Sequence, residues 1–460
     1  MAVDGVAESS CSIQDSALLA RFLEKNPQVD VFEVILVDVS GGLRGKWVER
    51  ANIAKLCCGG LKLPLSTLLF DIWGRDPEAS VFEHGDEDGI AVPSIRSLSL
   101  VPWLKRPTAQ LLISLRDIDG DDCDYDPRTM LASLLERFKQ QGLTPVLATE
   151  MEFFLLQQER DGDGTPRHTE GNTRLQGIQA GQTYGIDAMQ EMADFMHAVR
   201  DACVEQQLPI DTLIKEASPS QYEINLYHQP DALLAADQAV LLQRAIKGVA
   251  REHGYSASFM AKPFGEQAGN GMHVHCSLLD KQGNNVFDDG SEQGSELLRH
   301  AVAGCMAVME ESMLLFAPNV NSYRRFQCGS HAPLAPSWGY ENRTCALRIP
   351  AGSTKAMRIE HRVGGADANP YLSICAILAG MLYGIENKLA SAAPIEGNAY
   401  DQLTATLPRY LPDAIERFAN SKILPNYLGT NFYRHFAVVK RQELAEFDRQ
   451  VTALEYDSYL

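Results

Sequence analysis

Residues 149–156 read TEMEFFLL, a short run in which acidic and apolar side chains alternate. Successive side chains of a β-strand point to opposite faces, so a strand here places Glu150 and Glu152 on one face and Met151 and Phe153 on the other. The apolar face can pack into a core. The acidic face needs a different explanation, because carboxylates seldom line a strand without a partner.

Three further segments also carry ionisable or polar residues at every second position. They are residues 221–227 (QYEINLY) with Glu223, preceded by Glu216; residues 271–278 (GMHVHCSL) with His273, His275 and Ser277; and residues 358–362 (RIEHR) with Arg358, Glu360 and Arg362. A single segment of this kind is typical of a solvated sheet face. Because four strands share the pattern, we expect them to present their charges to one concavity.

This predicted concavity holds five glutamates and one or two histidines. The carboxylates would repel one another at short range unless cations neutralised them. Carboxylates with a minority of imidazoles suit Mg²⁺ or Mn²⁺, whereas zinc prefers a compact Cys/His tetrahedron. The number of ligands fits two metal ions better than one.

Arginines cluster downstream of the first three segments. The six are Arg324, Arg325, Arg343, Arg348, Arg358 and Arg362. Guanidinium groups bind phosphates and carboxylates bidentately, so this cluster favours a substrate that carries both. The sequence has no G-x-x-x-x-G-K-[ST] loop, which indicates phosphoryl transfer on a scaffold other than the P-loop.

The composition bounds the classes of function. The chain has 460 residues, and 41 basic against 60 acidic residues give a net charge of −19, which argues against a nucleic-acid partner. Ser373, Gly380 and Gly384 interrupt the longest apolar stretch, so we expect a buried helix there and no membrane span. The ten cysteines show no metal or redox spacing, and residues 1–10 lack the features of a secretory signal. We therefore expect a cytoplasmic protein.

The order of predicted elements indicates an α+β protein with two domains. A strand over residues 31–39 begins a small β-rich domain, and the acidic stretch near residues 116–128 marks its end, so we predict domains over residues 1–125 and 126–460. Long amphipathic helices are predicted at 188–206 and 232–253. Residues 157–182 are polar and glycine-rich, which favours a mobile loop.

Several motifs together resemble the glutamine synthetase family in identity and order. They are EMEFF, the K-E-x6-E segment from Lys215 to Glu223, GNGMHVHCSL, NSYRRF, N-R-x4-R-I-P, RIEHR and ANPYL. The resemblance extends from about Val37 to the C-terminus. It implies a small β-grasp-like N-terminal domain and a large catalytic domain whose curved antiparallel sheet is flanked by helices. It also implies a hexameric ring or a dodecamer with active sites between subunits.

The resemblance assigns roles residue by residue. It implies that one metal ion is held by Glu152, Glu216 and Glu223, and that a second, bridging the phosphates of ATP, is held by Glu150, His273 and Glu360. It assigns His275, Ser277, Arg348 and Arg358 to ATP, and Arg325, Arg362 and Gly269 to glutamate. Arg343 would face the transferred phosphoryl group. The implied reaction forms γ-glutamyl phosphate, which an amine then attacks.

Two departures from the family pattern concern the ammonium site. Glutamine synthetases carry a glutamate in the flap after N-S-Y-x-R, whereas His331 stands there in the segment QCGSHAP. Their D-G-S-S motif is absent, and Asp71, in LFDIWG with Trp73, is the nearest counterpart of its aspartate. A histidine cannot attract a small cation as a carboxylate does. We therefore predict a γ-glutamylpolyamine or γ-glutamylmonoamine ligase, with His331, Arg343 and Asp71 as catalytic residues.

Three other functions are compatible with the same resemblance. An ordinary glutamine synthetase would use ammonia. A catalytically silent relative would serve as a structural or interaction protein, although it would have no need for six metal ligands and six arginines. A guanidino-kinase-like activity would share the catalytic architecture but not the N-terminal domain. The sequence leaves open which amine is used and whether Mg²⁺ or Mn²⁺ is preferred.

Overall fold

The computed structural model of the chain describes residues 12–77, 85–169 and 183–460. The first part combines one helix with five strands: α1 (Ile13–Lys25), β1 (Val31–Val37), β2 (Leu43–Glu49), β3 (Lys62–Pro64), β4 (Asp88–Leu100) and β5 (Thr108–Arg116). Within the described residues these strands form one sheet in the order β2-β1-β5-β4-β3. The central pair β1 and β5 is parallel, and β5 is buried along nearly its whole length, which suits a strand covered on both sides.

The second sheet is larger and carries the four segments singled out above. Its strands are β6 (Thr144–Arg160), β7 (Pro166–His168), β8 (Ile210–Lys215), β9 (Gln221–Leu226), β10 (Tyr255–Ser258), β11 (Met272–Leu279), β12 (Trp338–Tyr340), β13 (Leu347–Ile349) and β14 (Ile359–His361). Among the described residues the main order is β12-β13-β14-β11-β6-β9-β8, and β7 and β10 also pair with β6. All pairs except β12 with β13 are antiparallel, which agrees with the predicted fold class.

Helices surround this sheet. They are α2 (Pro127–Gln140), α3 (Ile186–Gln190), α4 (Ala193–Glu205), α5 (Ala232–Glu252), α6 (Glu296–Val308), α7 (Met313–Phe316), α8 (Pro370–Glu386), α9 (Ala399–Gln402), α10 (Leu411–Ala419), α11 (Pro425–Leu428), α12 (Thr430–Asp448) and α13 (Ala453–Tyr459). Short 3₁₀ helices cover Arg50–Cys58, Leu65–Leu69, Val320–Arg325 and Thr354–Ala356. Helix α8 is the predicted buried helix, begun by an Asn369 cap with Pro370 in its first turn.

No helix in the described ranges is both long and apolar enough to cross a membrane.

Two element predictions need correction. The helix predicted over 188–206 is two helices, because Met192 has φ −113° and ψ 19°, outside helical values, and separates α3 from α4. The loop predicted over 157–182 begins later, since β6 continues to Arg160 and β7 follows. Residues 170–182 of that predicted loop lie outside the described residues. The predicted domain boundary falls in the connection between β5 and α2 and remains a prediction.

Buried polar contacts hold the first sheet against the second part of the chain. Arg128 on α2 donates to the Ser94 hydroxyl on β4 at 2.9 Å and also to both carboxylate oxygens of Asp237 at 2.9 and 3.0 Å. The Asn369 amide donates to the Asp38 carbonyl at 2.9 Å. These bonds fix β4 relative to α2, and the loop after β1 relative to the start of α8.

Candidate active site

The registers of four antiparallel strands place the acidic and imidazole side chains on one face of the large sheet. Residues directly opposite each other in such a pair share a face. The register pairs His273 with Glu150, Glu152 with Glu223, and Glu360 with both His275 and Arg348. The structure therefore confirms that the alternating residues share one face, and the four segments meet in one polar surface.

Two groups of potential metal ligands lie within this surface. In Glu150, His273 and Glu360 one ligand atom of each residue lies within 4.8 Å of the others, as in the set implied for the second metal. A second group has the same spacing but consists of Glu152, Glu223 and His273. The resemblance gave the third position of this set to Glu216, and that role remains a prediction. Glu216 accepts from the Ala217 backbone at 3.3 Å, and its charge raises the pKa of both Glu152 and Glu223.

Hydrogen bonds orient one half of the cluster. Arg358 Nε donates to His275 Nδ1 at 3.1 Å, so the ring carries its proton on Nε2 and donates it to Glu150 Oε1 at 2.8 Å. His273 Nδ1 lies 3.0 Å from the other oxygen of Glu150. Burial alone would raise the pKa of Glu150, but the hydrogen bonds from both histidines outweigh it and lower that pKa.

Glu360 is held by two arginines. Arg348 donates to its Oε2 at 2.7 Å, and Arg362 donates to its Oε1. Burial opposes ionisation of Glu360, yet the positive charge of Arg362 lowers its pKa, so the carboxylate is charged at neutral pH. The Nε atoms of Arg348 and Arg362 are buried without a hydrogen-bond partner in the described part of the chain. Two donors are thus left for an anionic ligand.

The other half of the cluster carries unbalanced negative charge. Burial and then the charge of Glu216 raise the pKa of Glu152 to about 7. Burial and the charges of Glu150, Glu152 and Glu216 raise the pKa of Glu223 to about 9. A hydrogen bond from the Gly271 amide to Glu152 Oε2 at 2.6 Å and the charges of Arg325 and Arg362 offset part of this repulsion. Carboxylates that repel one another in this way are a suitable environment for a divalent cation.

A cavity of about 620 Å³ opens beside the Glu150 half of the cluster. Its lining includes Glu150, His275, Ser277 and Arg358, four of the residues assigned to the nucleotide side. Arg348 does not line it and contacts Glu360 and Glu341 instead. The cavity has the size of a small-molecule site and holds both aromatic and cationic groups.

Sequence reasoning missed several residues of this cavity, among them Tyr227, His228, Asn285 and Lys355. Tyr227 is 53% exposed and continues the alternation of Glu223 and Asn225, so the period of two was the signal for it. Asn285 comes from a loop and Lys355 from a short 3₁₀ helix, where no period of two marks them. Asn285 donates to the Lys355 and Met357 carbonyls at 3.1 and 2.7 Å and so joins the two segments.

Three residues predicted around the reacting groups meet near the flap. His331 is exposed and adopts a left-handed backbone conformation with φ 58°, and the structure places it near Arg343 and Arg362. Burial and then the charges of Arg362 and Arg343 lower the pKa of His331. The imidazole is therefore neutral at pH 7, in surroundings that repel a small cation.

Arg325 and the glycines assigned to glutamate form a tight corner next to the cluster. Arg325 donates to the Val363 carbonyl at 2.8 Å and to the Arg362 carbonyl at 3.2 Å. A side chain on Gly269 would lie 2.9 Å from Arg325 Cγ, and one on Gly271 would lie 2.9 Å from Arg325 Nη2 and 3.0 Å from His273 Nε2. Glycine is required here because the backbone passes so close to these groups.

The Asp71 carboxylate is surrounded by hydrogen-bond donors. Its side chain is fully buried, and its Oδ1 accepts from the backbone amides of Trp73 and Arg75, both at 2.9 Å. Its Oδ2 accepts from Arg75 Nε at 2.8 Å and from Gln442 Nε2 at 3.0 Å. These hydrogen bonds close a turn around the carboxylate within its own chain, and a catalytic role for Asp71 remains a prediction.

Comparison with known proteins agrees with this geometry. Residues 124–459 match the family model described as glutamine synthetase, catalytic domain. γ-Glutamylputrescine synthetase of Escherichia coli (strain K12) is 39% identical over 445 residues, which cover 95% of this chain and 93% of that enzyme. Glutamate–isopropylamine ligase of a Pseudomonas species is 34% identical, with 95% of this chain and 96% of that enzyme covered. Glutamine synthetase of Thermotoga maritima is 30% identical over 82% of this chain and 86% of that enzyme.

Solved structures confirm the predicted fold class. The complex of GmaS with ADP superposes with a TM-score of 0.84 at 28% identity and covers 96% of this chain and 99% of that one. The enzymes of this family are ATP-dependent ligases that use divalent metals, and several relatives of this chain are glutamate–amine ligases. The shared sheet, the clustered carboxylates and the match over most of the chain lead to one conclusion: this protein belongs to the glutamine synthetase family.

Proposed function

We propose that this protein is an ATP-dependent ligase that joins the γ-carboxylate of glutamate to an organic amine, with a short diamine such as putrescine as the first candidate. The observation that carries this proposal is His331, which lies among arginines where glutamine synthetases have a flap glutamate. The similarity to γ-glutamylputrescine synthetase over 95% of the chain supports the same choice. The amine named for each relative is a property of that relative, so the diamine is the part to be tested.

Two divalent cations, Mg²⁺ or Mn²⁺, fit the residues present. Glu150, His273 and Glu360 would hold one, and Glu152, Glu216 and Glu223 would hold the other, with Glu152 and Glu223 lying within ligand distance of each other. Support comes from the raised pKa values of Glu152 and Glu223, which arise from burial and from the repulsion among neighbouring carboxylates. When bound, such ions neutralise developing negative charge on phosphoryl oxygens.

Different residues of the chain act in the two chemical steps. In the first, a γ-carboxylate oxygen of glutamate attacks the γ-phosphorus of ATP, and ADP leaves. Tyr227 lines the cavity and offers an aromatic surface for the base, while the Nε atoms of Arg348 and Arg362 are donors without a partner among the described residues and are left for anionic groups. Preorganised donors of this kind stabilise charge without reorganisation during the reaction. The product is γ-glutamyl phosphate.

In the second step the amine nitrogen attacks the acyl carbon, the C–N bond forms, and phosphate leaves. An alkylammonium has a pKa of about 10.4, so a base must take its proton before or during attack. His331 is neutral at pH 7 and lies beside Arg343, so it is the candidate acceptor. It cannot attract the ammonium ion, and the carbon skeleton of the amine must supply the binding free energy, about 0.8 kcal/mol per buried methylene.

The site is completed by a second copy of the chain. Ile72 shares a cavity with Gln243, and Gln243 donates to Met151 Sδ at 3.4 Å. Met151 points away from Glu150 and Glu152, so Ile72 shares its cavity with a residue that packs on the opposite face of the sheet from the cluster of its own chain. For this segment to contact an amine, the chain must form a homo-oligomer in which it approaches a neighbour's cluster. A hexameric or dodecameric ring has this property, and full activity in a monomer would contradict it.

The nine cysteines among the described residues are free thiols, which supports placing the enzyme in a reducing compartment such as the cytoplasm.

The variant His331→Glu tests the proposed function. We expect the wild-type enzyme to show a kcat/KM for putrescine at least 100-fold higher than for ammonia, and His331→Glu to reduce that ratio at least tenfold because the new carboxylate attracts ammonium. His435→Glu is the matched control, since His435 packs on Tyr125 in another part of the fold. A wild-type enzyme that uses ammonia as well as any amine would make it an ordinary glutamine synthetase.

A further inference from the structure

Residues 70–76, here called the Trp73 segment, form an exposed apolar surface on a rigid backbone. Ile72 is 40% exposed and Trp73 is 45% exposed. The Asp71 amide donates to the Arg75 carbonyl at 3.1 Å, and the Gly74 amide donates to the Asp71 carbonyl at 2.8 Å, so the backbone folds back on itself. Gly74 has φ 78°, which a residue with a side chain rarely adopts. Two large side chains are thus presented to their surroundings with little conformational freedom.

One face of helix α12 holds this segment. Gln442 donates to Asp71 Oδ2 at 3.0 Å and to the Asp76 carbonyl at 3.1 Å. Arg75 donates to Glu446 Oε2 at 3.1 Å, and the rings of Trp73 and Phe447 lie 5.6 Å apart. Gln442 and Glu446 are four residues apart, as are Glu443 and Phe447, so each of these pairs lies on one face of α12. The position of the Trp73 segment is therefore fixed by its contacts with α12.

A buried ion pair forms the centre of this contact. Lys440 is 0% exposed and Glu443 is 2% exposed, and Lys440 Nζ donates to Glu443 Oε2 at 2.9 Å. Glu443 Oε1 accepts from the Ile72 backbone amide at 3.0 Å and from the Ser40 hydroxyl at 3.4 Å. The two oxygens of Glu443 therefore act separately. One neutralises Lys440, and the other fixes the Ile72 backbone and the loop after β1.

Such a pair contributes little net stability. Desolvation of two charges offsets most of their attraction, and apolar residues of similar volume are often as stable or more stable. What an apolar pair cannot supply is the acceptor for the Ile72 amide. The contact therefore serves to position the Trp73 segment, in addition to joining α12 to the N-terminal sheet.

We propose that Glu443, supported by Lys440, is a positioning residue for the amine substrate: it fixes the Trp73 segment so that Ile72 and Trp73 contact the carbon skeleton of the amine bound at a neighbouring subunit. This inference rests on the proposed function. Glu443 touches no substrate itself. Its effect passes through the Ile72 backbone to an apolar surface that distinguishes an alkylamine from ammonia.

The test is the double variant Lys440→Met with Glu443→Leu, which keeps the volume of the pair and removes the acceptor for Ile72. With putrescine varied at saturating glutamate and ATP, we expect KM for putrescine to rise at least fivefold. We expect the KM values for glutamate and ATP, and kcat/KM for ammonia, to change less than twofold. Glu416→Gln is the matched control, because Glu416 on α10 pairs with Arg441 on an exposed side of α12.

Each outcome decides the inference. An unchanged KM for putrescine overturns it, and so does an equal loss for putrescine, glutamate, ATP and ammonia, because that pattern is expected of a purely structural role. If the double variant does not fold, Lys440→Met with Glu443→Met is measured instead, since it also removes the acceptor for the Ile72 amide without leaving Lys440 unpaired, and the same selective rise is expected. The wild-type comparison of putrescine with ammonia tests the proposed function separately, so the two failures can be distinguished.

Discussion

Without metal, the carboxylate cluster should destabilise the folded enzyme as the pH rises. In the unfolded chain Glu152 and Glu223 both titrate near 4.5, whereas in the folded chain burial and neighbouring charges raise their pKa values to about 7 and about 9. A folded pKa above the unfolded value means that the folded state holds more protons between the two. The contribution to stability is therefore complete below pH 4.5 and is lost as the pH rises through the folded pKa.

The size of this effect follows from the shifts. The range from pH 4.5 to pH 7 spans about 2.5 pH units. At about 1.4 kcal/mol per unit, the contribution of Glu152 to the free energy of unfolding falls by roughly 3 kcal/mol by neutral pH. Glu223 adds a loss of the same order. For a chain of this length each kilocalorie per mole lowers Tm by about 1 °C, so Tm should fall by about 3–6 °C. Burial also raises the pKa values of Asp38 and Asp126 to about 6. Their contribution to the pH dependence of stability is the same in the wild type and in every variant.

Thermal unfolding in EDTA measures this effect at several pH values from about 5 to 8, with and without added Mn²⁺. We expect Glu223→Gln to unfold at a higher temperature than the wild type in EDTA near pH 7.5 and to lose most of the stabilisation by Mn²⁺. Glu159→Gln is the control, since Glu159 lies on the same strand with its side chain 86% exposed. A wild-type Tm that changes with neither pH nor Mn²⁺ would refute the reasoning. A Glu223→Gln variant that is less stable than the wild type in EDTA would do so as well.

Two further substitutions probe separate parts of the site. Glu360→Ala should raise KM for ATP at least tenfold and leave KM for glutamate within twofold, because Glu360 lies in the group beside the nucleotide cavity; a rise confined to glutamate would contradict this division. Gly271→Ala should lower kcat at least 100-fold while the protein stays folded, because a Cβ would lie 2.9 Å from Arg325 and 3.0 Å from His273, and near-normal turnover would show that this corner adapts freely.

The sequence was sufficient to predict which side chains share a face wherever polar residues alternate along one strand. Alternation in β6, β9 and β11 identified the glutamates and histidines of the cluster because strand geometry alone decides which side chains share a face. The sequence was insufficient to predict contacts that depend on the register between two neighbouring strands. His273 belongs to both ligand groups because β11 pairs it opposite Glu150, while the pair of Glu152 and Glu223 lies two residues further along β6, and no single strand encodes that relation.

Asp71 shows a second limit of sequence reasoning. A motif position says which residue stands there but not which way its side chain points. The turn at Gly74 and the amide of Gln442, which lies 371 residues away in the chain, decide that the carboxylate is buried. The contacts between α12 and the Trp73 segment are equally invisible in the sequence, since they join the two ends of the chain.

The central claim is that the enzyme selects an organic amine over ammonia. A competition experiment tests it most directly: the purified enzyme receives glutamate, ATP, Mg²⁺ and equal concentrations of putrescine and ammonium near pH 7.5, and mass spectrometry quantifies both amides. We predict γ-glutamylputrescine in at least 100-fold excess over glutamine, with one ADP formed per amide. Glutamine as the main product, or ADP release without either amide, would contradict the account.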